Sequence, residues 1–174
     1  MSTLFVDESK AKGYTMVAVA VAAQHAPALR REMRALVLPG QRRIHFTNES
    51  DSRRRSILST LDRIGVRAYV VHSDEAEVAA GRCSCLAAIV HVAASHGHER
   101  IVVERDETIE RADRQTLYQE IERRGLRGSL HYAHEAAHHE PLLWAADALA
   151  WSHTKGGDWR RRIERMLVPD GLTR

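Results

Sequence analysis

Three carboxylates in this chain sit where a charge is costly. The stretch "PLLWAADALAWSH" is apolar from Pro141 to Trp151 except at Asp147. At helical spacing Leu143, Asp147 and Trp151 share a face with Ala150 beside them, so Asp147 is expected to point inward. Burying a carboxylate among apolar side chains carries a large desolvation cost unless something compensates it. Asp7 follows Leu4, Phe5 and Val6, and Glu104 follows Ile101, Val102 and Val103, each at the end of an apolar run of strand length. Asp106, two positions beyond Glu104, is a rival for the same task. Glu49, in "FTNESDSRR", falls in the first turn of an expected helix, where the macrodipole already favours an acid. Anions converging on one sheet edge would raise one another's pKa values unless a cation held them. A hard, oxygen-preferring ion such as Mg²⁺ or Mn²⁺ meets that need. Each acid also has a structural account: a turn for Asp7, an arginine partner for Glu104, backbone or arginine donors for Asp147.

Basic residues lie near these acids in sequence. Arg43, Arg53, Arg54 and Arg105 are candidate phosphate contacts, or else members of solvated faces and ordinary salt bridges. His45, in "RRIHF", could shuttle a proton or touch substrate, or simply pack beside Phe46 in a strand. The run "HYAHEAAHHE" holds His131, His134, His138 and His139 but matches no zinc signature. Within it, His134 and His138 are candidates for a general base or an added nitrogen ligand near Asp147. Cys83 and Cys85 stand two apart in an expected helix, point to different faces and lack a second pair, so they read as reduced, packed thiols. With three Trp, four Tyr and two Phe, the chain offers little for a base-stacking platform, and a nucleic acid would be gripped mainly by its backbone.

Positioning such a set needs a sheet covered by helices, and 174 residues suffice for one such domain. "TLFVDES" and "YTMVAVAVAA" read as a hairpin across a Lys/Gly turn, with valine and alanine alternating in the second strand. "APALRREMRALVL" is helical and stops at "PGQ", before a short expected strand, "RRIHF". "ESDSRRRSILSTLDRIG" places Ile57, Leu61 and Ile64 on one helix face and closes at Gly65. Then follow the strand "VRAYVVHS", the long helix "EAEVAAGRCSCLAAIVHVAASHG", the strand "RIVVERDE", the polar helix "RADRQTLYQEIERRG", the strand "GSLHYAHEA" and the apolar helix bearing Asp147. Residues 155–174 read as a basic surface helix and tail of the same domain, 1–174. The fold class is α/β, a mixed sheet with helices on both faces and no internal repeat. A net charge of +3, from 26 basic against 23 acidic residues, permits nucleic acid without demanding it. "YTMVAVAVAA" is too short to span a bilayer and lacks the layout of a signal peptide, so a cytoplasmic location without membrane contact is expected.

Taken together, "FVDES", "RIHFTNESDSRR", "IVVERDE" and "LLWAADALAW" resemble the bacterial domain of unknown function 3800 family, whose fold is ribonuclease H-like. The resemblance spans nearly the whole chain, and the Ala-Asp pair in an apolar helix is its most specific part. It implies two divalent ions, Mg²⁺ or Mn²⁺, held by Asp7, Glu49, Glu104 or Asp106, and Asp147. Asp7 would bridge both ions, Glu104 and Asp147 would each hold one, and Glu49 would complete a shell or orient water. Two departures stand out: "DESK" lacks the glycine often found after the serine, and Glu104 replaces a more usual aspartate. The implied activity is metal-dependent hydrolysis of phosphodiester bonds in DNA or RNA. The alternatives are a catalytically inactive ribonuclease H-like module that binds nucleic acid or protein, and a metal phosphohydrolase acting on a small molecule. Arginine blocking the acids would favour the first alternative, a closed pocket the second. A homo-oligomer or a partner protein is compatible with either.

Overall fold

The valine-rich segments form strands because β-branched side chains suit a pleated surface buried on both sides. In the computed structural model, which describes residues 1–11 and 13–169, five strands make one sheet of order β3-β2-β1-β4-β5. They are β1 (Ser2–Ser9), β2 (Tyr14–Ala22), β3 (Arg67–Ser73), β4 (Arg100–Glu104) and β5 (His131–Glu135). β1 is central, antiparallel to β2 and parallel to β4, and β4 is parallel to β5. The β1–β2 hairpin expected from alternation is present, although Lys12 of its turn lies outside the described residues. Gly13 in that turn has φ +87°, and a Cβ there would meet His72 Cε1 at 2.8 Å, so only glycine fits without a shift.

Strand alternation sends successive residues to two separate cores. Phe5, Val17, Val19 and Val102 pack beneath α1 (Ala26–Ala35), α2 (Asp51–Arg63), α5 (Pro141–Lys155) and α6 (Gly157–Ile163). Leu4, Val6, Met16, Ala18, Ile101 and Val103 pack beneath α3 (Val78–His96) and α4 (Glu110–Arg123). α5 enters with Pro141 in its first turn and Glu140 as N-cap, accepting from Leu142 N at 3.0 Å while Arg30 grips the same carboxylate at 2.7 Å. α3 is long and apolar enough to cross a membrane by length and composition, yet here it lies against the sheet and α4.

One expectation is corrected. "RRIHF" is no strand: residues 42–45 are irregular and Phe46–Asn48 form a 3₁₀ turn. Its polar groups are satisfied by side chains instead of a ladder, since Phe46 N donates to Asp147 and Arg54 donates to the carbonyls of Phe46 and Thr47. Ile44 and Phe46 are nevertheless fully buried, which is why the segment looks strand-like in sequence. The basic tail helix is short, α6 followed by a 3₁₀ turn at Glu164–Met166, and residues 170–174 lie outside the described residues.

Candidate active site

Because β1 and β4 are parallel with Val6 opposite Val103, the next residues, Asp7 and Glu104, neighbour each other at the same sheet edge. Both share the face of Phe5 and Val102, the face on which α5 lies. Asp147, mid-helix in α5, faces inward and lines the same cleft of about 800 Å³. The three acids therefore converge, although they come from three distant parts of the chain. Glu8, Lys10, Arg43, His45, Arg105, Asp106, His138 and Trp151 also line this cleft.

The cleft crowds carboxylates that its cations compensate only in part. Asp7 is 8% exposed. Burial first, then Glu104, Asp147 and Glu8, hold its carboxyl well above the usual carboxylate range, and a 2.7 Å bond from Glu8 N only partly opposes them. Burial likewise raises Glu104, with Asp147 and Glu8 adding to the shift and Arg43 working against it. Arg43 Nη1 lies 3.3 Å from Glu104 Oε1. Asp147 is anchored through Oδ2, which accepts from Phe46 N at 2.9 Å and lies 3.4 Å from His45 Nδ1. That backbone donor gives the carboxylate in the apolar helix its local partner.

Several candidates lie elsewhere. Glu49 does not line the cleft: it precedes the N-cap Ser50 of α2, is 6% exposed, and accepts from Arg53 Nε at 3.2 Å and Gln41 Nε2 at 3.1 Å. Arg53 also donates to Leu36 O, and Arg54 ties Asp51 and the turn carbonyls while lying 4.3 Å from the Trp151 ring centroid, so neither arginine lines the cleft. His134 points away from Asp147. It stands opposite Val103 on β5, shares that residue's face, and pairs with Asp113 on α4 at 3.2 Å. His138 does reach the rim, where burial, His139, Arg42 and Arg43 lower its pKa. Asp106 is at the rim too, but its Oδ1 is engaged by Thr108 N and Oγ1 at 3.0 and 2.6 Å, bonds that hold its pKa low. Glu104 is thus the strand acid that faces Asp7 and Asp147.

Glu8 was missed as a cleft acid because alternation turns it to the opposite face from Asp7. There it meets Arg82 at 2.8 Å, yet it still lines the cleft and still bears on Asp7 and Glu104. Its position beside Asp7 past the last β1–β4 pair is the signal that could have found it: beyond that pair both faces open to the strand ends.

The donor chemistry suits a hard divalent cation, four carboxylates crowded so that two are driven toward protonation. Among the described residues, however, no three His, Cys, Asp or Glu side chains stand close enough together to hold an ion as they lie. Arg43 on Glu104 and Phe46 N on Asp147 occupy positions that an ion would contest.

No protein-family model and no curated protein matches the sequence. Among solved structures, the chain is similar to RNase HII in the PCNA:RNase HII complex from Archaeoglobus fulgidus, with a TM-score of 0.59, 17% identity, 95% of this chain and 76% of that chain covered. The fold is therefore ribonuclease H-like, as the sequence led us to expect.

Proposed function

We propose that the chain is a divalent-metal-dependent nuclease acting at the cleft of Asp7, Glu104 and Asp147, consistent with the resemblance to the domain of unknown function 3800 family. The observation that carries this reading is the convergence on Asp7: a carboxyl on the central strand, lining one cleft with acids from β4 and α5, and pushed toward neutrality first by its burial and then by Glu104, Asp147 and Glu8. A cation would relieve both the burial of the charge and the repulsion between the acids. Asp7, Glu104 and Asp147, with Glu8 beside them, would hold two ions, Mg²⁺ or Mn²⁺. Ions so held supply an activated water and neutralise charge on the leaving oxygen of a phosphodiester. Lys10, Arg43 and Arg105 on the rim meet the phosphates, Arg43 exchanging Glu104 for substrate. His45, 45% exposed at its side chain and resting on Asp147, stands where it could exchange a proton with substrate or water. DNA or RNA is the substrate class, and a cytoplasmic setting suits it.

One observation favours a second reading. Arg43 already pairs with Glu104, as it would in a binding module that kept the fold and replaced the cation with a guanidinium. A single experiment separates the two: labelled DNA and RNA incubated with Mg²⁺, Mn²⁺ or chelator, beside Asp7→Asn and Asp147→Asn. We expect metal-dependent cutting that both variants lose, by about a hundredfold or more. Cutting that survives both substitutions refutes the mechanism. Oligonucleotide binding without cutting by the folded wild type supports the module.

A further inference from the structure

Behind the cleft, the most apolar long helix of the molecule buries a guanidinium. Arg82 on α3 is 5% exposed, bonds directly to three other elements and is linked to a fourth through Asp113. Its Nε and Nη2 donate to the two oxygens of Asp113 on α4 at 2.6 and 2.7 Å, a two-pronged grip. Its Nη1 donates to Tyr14 Oη on β2 at 2.6 Å and lies 2.8 Å from Glu8 Oε2 on β1. Asp113 is fixed from its other side by His134 Nε2 on β5 at 3.2 Å. Asp113, Tyr14 and His134 are all at most 3% exposed. Gly81, next to Arg82, makes this possible: a Cβ there would stand 2.8 Å from Tyr14 Cβ, so only glycine lets α3 come this close to β2.

The Asp113 fork takes up Nε and Nη2 and leaves Nη1 to find acceptors elsewhere. The remaining nitrogen reaches past that pair to a carboxylate that lines the cleft. Glu8 is thereby divided: Oε2 is held from inside by Arg82, while Oε1 lies 3.5 Å from Lys10, a half-exposed rim residue. An ammonium on a flexible stem is the kind of partner a divalent ion displaces; a guanidinium locked by an aspartate fork and a tyrosine hydroxyl is not.

We propose that Arg82, clamped by Asp113 and Tyr14, is a positioning residue that fixes Glu8 so that one of its oxygens is presented to a divalent cation in the cleft. The inference rests on the metal-binding part of the function proposed above and goes beyond it by assigning the polar cluster between β1 and α4 to the site. Outer partners that orient a ligand are worth about ten- to a hundredfold in metal affinity.

The test measures Mn²⁺ binding to the metal-free protein by titration calorimetry, without nucleic acid, for wild type, Arg82→Lys, Tyr14→Phe, Glu8→Gln and each of the first two combined with Glu8→Gln. Arg82→Lys keeps the charge and loses the fork, and Tyr14→Phe removes only a hydroxyl, so the core is retained in at least the latter. We expect Arg82→Lys to weaken Mn²⁺ binding by about tenfold and Tyr14→Phe by about threefold, with neither change having a further effect in the Glu8→Gln background. Wild-type affinity in both single variants, or effects that add to that of Glu8→Gln, would overturn the positioning role while leaving the metal site standing. No Mn²⁺ binding by wild type, with the protein folded, would overturn the cleft as a metal site and this inference with it.

Discussion

Asp7 carries a measurable penalty in the absence of a cation. Its pKa in the folded protein is raised above the ordinary value of 3.8, so ionisation costs the folded state more than the unfolded chain. Stability is intact below the unfolded value and is lost as pH rises from there through the raised one. Asp7→Asn should therefore melt higher than wild type at pH 8, by about 3 °C for each kcal/mol of repulsion removed, and the gap should narrow as pH falls through the carboxylate range. Millimolar Mg²⁺ should raise the melting temperature of wild type alone. Thermal scans across pH check this, and a gap that does not change with pH would contradict it. At this scale Asp7, Glu104 and Asp147 were legible because each is an acid ending or interrupting an apolar run. Glu8 was passed over and His134 was misplaced: the two-residue period turns His134 to the face of Val103 and Asp113, away from Asp147, while Glu8 still lines the cleft because it lies past the last β1–β4 pair. Glu49 had its own visible partner, Arg53 one helical turn on.

Elements were read from period and punctuation, which located every strand of the sheet and each of its covering helices. The exception, "RRIHF", shows what periodicity cannot report. Its buried Ile44 and Phe46 satisfy the strand pattern, but both its neighbours in space are helices, and its backbone is bonded by Asp147 and Arg54. Equally hidden was the close approach of α3 to β2, since one glycine in an apolar helix has no special spacing. That approach can be tested. Gly81→Ala places a methyl 2.8 Å from Tyr14 Cβ, so α3 must move away from β2. The cost should be about 1–3 kcal/mol in denaturant unfolding, far from the small gain expected of alanine in a free helix. An unchanged midpoint would mean that the two elements are less tightly packed than described.

For the whole molecule, a net charge of +3 understates the asymmetry of its surface. Acids form the floor of the cleft while Lys10, Arg43 and Arg105 stand on its rim. Three cations meeting three phosphates should give a log–log slope of duplex affinity against salt of about −3, reduced by about one in Arg105→Gln. Fluorescence anisotropy in chelator, where no cutting occurs, measures it; a slope near zero would exclude backbone recognition at this rim. The three-layer plan of helices, sheet and helices was legible from the order of periodic segments, but the charge separation between floor and rim arises only on folding. The register of the sheet adds a matter of timing. Thr3 lies opposite Arg100, and Asp147 comes later still. During biosynthesis the first half of the chain therefore emerges with Asp7 and Glu8 but neither of the carboxylates that join them, and the cleft exists only once α5 has left the ribosome and docked.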